Sequence, residues 1–138
     1  MWSHYGDCHR GICLEFQVLD ESLFSAAVPV EYAKDYPTLR ATLPVKDLAD
    51  GMIRTKARLW KYEQEWRVLS DDDNARRGFP KQCLSGVILG CQISRRHESL
   101  ITRWLNQRNS FVILYRAYKD RGKFAVRIEK VKEIGPPQ

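Results

Sequence analysis

Two runs rich in strand formers flank Lys119-Asp-Arg-Gly122 near the end of the chain. Phe111, Ile113 and Tyr115 interleave with Val112, Leu114 and Arg116 before it, and Phe124, Val126 and Ile128 interleave with Ala125, Arg127 and Glu129 after it. Successive side chains of a strand point to opposite faces, so two such runs around a Gly-containing turn predict a β-hairpin. The segment just before them keeps the other period. Leu100, Ile101, Trp104 and Leu105 share one face at helical spacing, with Arg96, His97, Arg103 and Gln107 elsewhere. Ser94 precedes them, and its hydroxyl can accept from a free N–H of the first turn. A helix over about 94–108 leading into a C-terminal hairpin is the strongest constraint on the fold. Trp104 is expected in the core.

Upstream the pattern is less regular. Gly11-Ile-Cys-Leu-Glu-Phe-Gln-Val-Leu19 predicts a strand with Ile12, Leu14, Phe16 and Val18 on one face. Val28-Pro-Val-Glu-Tyr32 predicts a shorter strand, placed at an edge by Pro29, which has no N–H to donate. The chain reads as irregular from Tyr36 to Thr42. Pro44 to Gly51 suits a short helical turn ended by the glycine. Met52 to Lys61 reads as a further helix, followed by a strand in the second half of Tyr62–Leu69. Asp71-Asp-Asp-Asn74 reads as a loop, and Leu84-Ser-Gly-Val-Ile-Leu-Gly90 as a buried strand. Strands with one strong helix, and no regular strand–helix–strand alternation, predict an α+β fold. Its sheet is expected to be twisted, mainly antiparallel or mixed, and packed by the 94–108 helix. Residues 1–134 are expected to form one domain, and residues 135–138 a frayed tail.

Composition excludes several classes. A hydrophobic fraction of 43% with 29% charged residues is that of a folded globular chain, not a disordered one. No apolar run approaches the length of a membrane span, and the N-terminus lacks a signal-peptide pattern, so the protein is expected in the cytoplasm. Cys8, Cys13, Cys83 and Cys91 are too few and too irregular for a disulfide framework. His4, Cys8, His9 and Cys13 lack the close ligand pairs of structural zinc, so no metal is expected.

Charge is unevenly spread. Residues 1–52 hold four Lys/Arg against eight Asp/Glu, whereas residues 53–138 hold nineteen against nine. The basic second part suits an anionic partner, a nucleotide or nucleic acid, because phosphate binding releases counterions. Arg95, Arg96 and Arg103 are the expected contacts, with the Lys and Arg of the hairpin. Arg10 and Arg67 are further binding candidates.

Two blocks carry most of the chemistry-bearing residues. Met1-Trp-Ser-His-Tyr-Gly-Asp7 leads into His9-Arg-Gly-Ile-Cys-Leu-Glu-Phe16, and Lys56-Ala-Arg-Leu-Trp-Lys-Tyr-Glu-Gln-Glu-Trp-Arg67 follows. Together they resemble a widespread bacterial family of unknown function, some of whose members look like abortive-infection, phage-resistance proteins. The resemblance covers about Met1 to Gly90. Members of that family carry a segment ahead of the first block, so the chain reads as a shortened relative or a fragment.

The resemblance implies a distant likeness to ADP-ribosyltransferases, in which a carboxylate holds a ribose hydroxyl and stabilises developing positive charge. On that reading Glu63 or Glu65 takes the carboxylate role, His4 or Tyr5 orients the nucleotide, and NAD is the cofactor. The plain structural reading of the second block is a strand, with Glu63, Glu65 and Arg67 on one face and Tyr62, Gln64, Trp66 and Val68 packed on the core. Arg67 then forms an ion pair with Glu65. A small module for an anionic partner is the favoured function. An NAD-dependent ADP-ribosyltransferase-like enzyme is one alternative. The other is self-association through an exposed strand edge.

Overall fold

The computed structural model describes residues 2–20, 22–38, 42–69 and 78–136. Along the chain run α1 (Trp2–Tyr5), β1 (Ile12–Phe16), β2 (Ala27–Pro29), β3 (Glu31–Ala33), α2 (Val45–Arg54), β4 (Thr55–Ala57), β5 (Trp66–Val68), β6 (Leu84–Leu89), α3 (Arg95–Asn106), β7 (Val112–Lys119) and β8 (Val126–Ile134). Tight 3-10 turns cover Leu23–Ala26, Arg58–Glu63 and Lys81–Cys83. The fold is α+β. The chain forms two compact units, one of residues 1–18 and 79–138, the other of residues 19–78. The Asp71–Asn74 loop reading, the middle of the Tyr36–Thr42 stretch and the last two tail residues lie outside the described residues. No described helix is long and apolar enough to cross a membrane.

The first unit is a four-stranded mixed sheet in the order β1-β6-β7-β8. β1 runs antiparallel to β6, and β7 antiparallel to β8, with Tyr118 opposite Arg127 and Lys119 opposite Val126. β6 and β7 are parallel. A parallel pair needs a crossover rather than a tight turn, and α3 supplies it. Leu84, Val87 and Leu89 of β6, Val112 and Leu114 of β7, Ile134 of β8 and Leu105 of α3 form the core, with Phe16, Ile93 and Ile101 packed against it. β6 is buried on both faces, as a central strand next to a parallel neighbour should be.

Ser94 caps α3 as its position predicts, its Oγ accepting from the His97 N–H at 3.2 Å. Glu98 in the first turn pairs with Arg116 of β7 and ties the helix to the sheet. Trp104 departs from expectation and is 55% exposed. Ile101 and Leu105, four apart, already centre the buried stripe, which leaves Trp104 on its border. β1 is shorter than predicted, ending at Phe16, and as an edge strand it leaves Ile12 and Leu14 exposed. β8 forms the opposite edge. Its exposed length carries Arg127, Glu129, Lys130, Lys132 and Glu133, the charges with which edge strands discourage further pairing.

The second unit consists of two short strand pairs and α2. β2 pairs with β5 antiparallel, and β3 pairs with β4 in parallel. The predicted single strand over Val28–Tyr32 is therefore two, broken at buried Val30, whose N–H donates to the Glu65 carbonyl at 2.9 Å. Pro29 has an edge position, since its pair holds only two strands. Gly51 does not end α2, which continues to Arg54. The chain turns extended at Thr55 because a β-branched residue there can pair with β3. The helix expected over Met52–Lys61 is replaced by the end of α2, β4 and a 3-10 turn. Of the strand expected over Tyr62–Val68 only Trp66–Val68 forms, and Tyr62 and Trp66 are exposed instead of packed.

Candidate functional site

In the first unit the opening block folds into a tight loop. The Gly6 N–H donates to the Trp2 carbonyl at 2.9 Å, and the Gly11 N–H to the Gly6 carbonyl at 2.8 Å. Between them Asp7, Cys8 and His9 all have positive φ, of 47°, 50° and 67°. Three consecutive left-handed residues that are not glycine hold backbone strain, roughly 1–2 kcal/mol each. The turn after β6 holds them there. The Gln92 N–H donates to the His9 carbonyl at 3.0 Å, the Gln92 side chain to the Cys8 carbonyl at 3.2 Å, and the Gly90 N–H to the Gly11 carbonyl at 3.0 Å. The Trp2 indole lies against Gly6, where a Cβ would come within 2.1 Å of its Cδ1, and its ring is 6.0 Å from that of His9.

This loop forms one wall of a cleft of about 750 Å³. Trp2, His9 and Cys91 line that side, and residues 119–126 at the β7–β8 turn line the other. The turn is closed by the Asp120 N–H donating to the Ala125 carbonyl at 3.0 Å. Asp120 also accepts the Gly122 N–H on Oδ1 at 2.8 Å. Lys119, Arg121 and Lys123 share this turn with Asp120, and none of the three makes an ion pair among the described residues. Phe124 projects fully into solvent beside them. Cations without partners, next to aromatic faces, can hold phosphate oxygens and stack a base.

The second unit gathers the charges of the second block. Lys56 on β4 donates to Glu63 and, at 2.8 Å, to Glu65. Arg67 on β5 donates through Nε to Glu65 at 2.6 Å and also reaches the Ile53 carbonyl. The Glu65 N–H donates to the Tyr32 hydroxyl at 2.8 Å, and the Lys56 ammonium lies 5.3 Å from the centre of the Trp60 ring. Gln64, left-handed at φ 47° and ψ 48°, turns the chain so that Glu63 and Glu65 converge on one cation. Glu63 is buried, with a side chain only 2% exposed, and its second oxygen has no hydrogen-bond partner among the described residues. A cleft of about 520 Å³, lined by residues 33–37 and by Met52, Thr55, Lys56 and Ala57, adjoins Lys56.

Arg67, and after it Lys56, lowers the Glu65 carboxyl from its usual 4.5 to about 2. The two carboxylates hold the Lys56 ammonium well above its usual range. Since the folded-state value of Glu65 is depressed, its contribution is complete above pH 4.5 and is lost as pH falls toward 2. In acid titrations followed by hydrogen exchange, residues 55–68 are expected to lose protection over that window. Glu65→Gln should flatten the response, and an identical acid profile in that variant would show that the pair does not hold the unit.

The two blocks that carried the family resemblance both fall within a matched stretch of sequence. Residues 1–68 match the family DUF2971. That family is described as a protein of unknown function, and the match takes in 68 of 138 residues. It is shorter than the Met1–Gly90 stretch read from the blocks. No curated protein and no solved structure matches the chain. The DUF2971 stretch supplies Trp2 and His9 to the cleft of the first unit and the whole Lys56–Glu63–Glu65–Arg67 cluster to the second, while the hairpin cations lie beyond it.

The predicted site residues divide accordingly. His4 and Tyr5 are exposed in the first unit and Glu63 and Glu65 sit in the second. Arg67 is engaged by Glu65 as its spacing predicts. Arg10 makes a 3.6 Å pair with Asp7, exposed enough to contribute little. Arg95, Arg96 and Arg103 are exposed on α3 and do not line the cleft. Lys56 is a site residue outside the sequence candidates, although a lysine seven and nine residues ahead of two glutamates signals a shared cation.

Proposed function

We propose that the chain is a cytoplasmic binding module for an anionic partner, a nucleotide or nucleic acid, held in the cleft at the β7–β8 turn. One observation carries this reading: Lys119, Arg121 and Lys123, without ion-pair partners among the described residues, line one cleft together with Trp2 and His9. Lys56, Arg67, Arg116 and Lys130 are each matched by a carboxylate, and Arg95, Arg96 and Arg103 of α3, which also make no ion pair among the described residues, line neither cleft described above. Unmatched cations that converge on one turn raise the local potential and favour phosphate.

The test is equilibrium binding of ATP and of a labelled ten-nucleotide single strand to the whole chain, at 50 and 300 mM salt. At least one probe should bind at low salt. The double variant Arg121→Gln/Lys123→Gln should weaken it by tenfold or more, on the order expected for two lost charge-assisted contacts, with the melting temperature unchanged. Failure of both probes to bind at low salt, or binding that the variant leaves intact, would overturn the proposal.

A further inference from the structure

We infer that the occupant of this cleft is a single strand of nucleic acid that crosses the end of the hairpin, and not a mononucleotide; the inference rests on the anion-binding reading above. A second cleft, of about 510 Å³, is lined by Tyr118, Lys119, Asp120, Arg121 and Arg127. It shares Lys119, Asp120 and Arg121 with the first cleft. The register explains why there are two. Tyr118 stands opposite Arg127 and Lys119 opposite Val126, and neighbouring residues of a strand point to opposite faces. Tyr118 and Arg127 therefore line one face of the hairpin end, while Lys119 and Val126 line the face toward Trp2. The turn that carries Arg121 joins the two.

Each side offers an aromatic surface. Trp2 and fully exposed Phe124 line the first cleft, and Tyr118, 40% exposed, lines the second. Arg127 is partly spent, since its Nε donates to Glu129 at 2.7 Å. Lys119 and Arg121 are thus the cations within reach of both sides. A mononucleotide has one base and one run of phosphates, and it fills a single side. A single strand offers a base to each aromatic surface and a phosphate to the cations between them, the combination used for binding without sequence preference. Duplex DNA keeps its bases stacked inside and cannot use Tyr118 and Trp2 in this way.

The experiment compares ATP with oligothymidylates of two, four and ten nucleotides and with a ten-base-pair duplex, using the whole chain and anisotropy or calorimetry. Affinity should rise from the dinucleotide to the tetranucleotide and then level off. With three cations engaged, it should fall about 40-fold between 50 and 300 mM salt, from a slope near 0.7 per neutralised phosphate. Tyr118→Ala should weaken the tetranucleotide by at least about fivefold and leave ATP unaffected, and Tyr118→Phe should restore it, since stacking needs only the ring. Equal affinity for ATP and the tetranucleotide, with Tyr118→Ala silent on both, would overturn the strand and leave the anion site standing. Tighter binding of the duplex than of the single strand would also overturn it. No binding of any probe would overturn both readings.

Discussion

Lys56→Met should destabilise the second unit by about 3 kcal/mol, because it strands a buried carboxylate. Glu63 is 5% exposed, and among the described residues Lys56 is the only cation that pairs with it. Methionine keeps most of the lysine's apolar stem and removes the charge, so the variant isolates the ion pair. Glu65 keeps Arg67 and suffers less. A loss of this size is a large share of the 5–15 kcal/mol that holds a typical domain. Hydrogen exchange read by mass spectrometry localises it: residues 55–68 should exchange much faster, while β6 and β7 keep their protection. Replacing both partners, Lys56→Met with Glu63→Leu, should recover most of the loss, because a buried pair exchanged for apolar groups of similar volume is often neutral. Unchanged exchange in Lys56→Met would show that Glu63 is satisfied some other way.

Gly90→Ala should be as damaging in the first unit, and for a steric reason. A Cβ at this position would lie 2.1 Å from the His9 carbonyl oxygen and 2.7 Å from that of Gly11. Both oxygens already accept hydrogen bonds that dock the opening loop on the turn after β6. Backbone carbonyls cannot rotate aside as a side chain can, so the loop itself must move. Such overpacking costs about 3 kcal/mol, which lowers the melting temperature of a chain this size by about 10 °C. Trp2 and His9 are carried on that loop, so binding at the hairpin cleft should weaken in the same variant. Gly78→Ala is the control, since an added Cβ there meets nothing within 4 Å. A Gly90→Ala protein that melts with the parent would disprove the docking.

Much of the first unit was legible in the residues. The Ser94 cap, the buried stripe of Ile101 and Leu105, and the paired runs around residues 119–122 have strong local signals, and α3, β7 and β8 follow them closely. The parallel pairing of β6 with β7 was not legible, because it depends on where the crossover helix lands and not on either strand's pattern. The second unit was read least well. Its strands are three residues long, too short to establish a period, so the residues alone predict an end at Gly51 and a new helix through Thr55, where the chain instead continues α2 to Arg54 and turns extended. The acid–base cluster was half legible. The spacing of Glu65 and Arg67 predicts their pair, but a shared strand face does not account for Glu63, which the left-handed turn at Gln64 brings to the same lysine.

Fold class, the helix-and-hairpin end of the chain and the bias of positive charge toward the second half follow from residue order alone, because periodicity, capping and composition are local or additive. Packing sets which charges are spent and which remain available. Lys56 and Arg67 are neutralised by carboxylates that a backbone turn carries to them, while Lys119, Arg121 and Lys123 share a turn with one aspartate that also caps it. It also brought Trp2 and His9 next to residues more than a hundred positions later. That approach depends on the close fit of the His9 and Gly11 carbonyls against Gly90, and a contact between distant segments leaves no period in either of them.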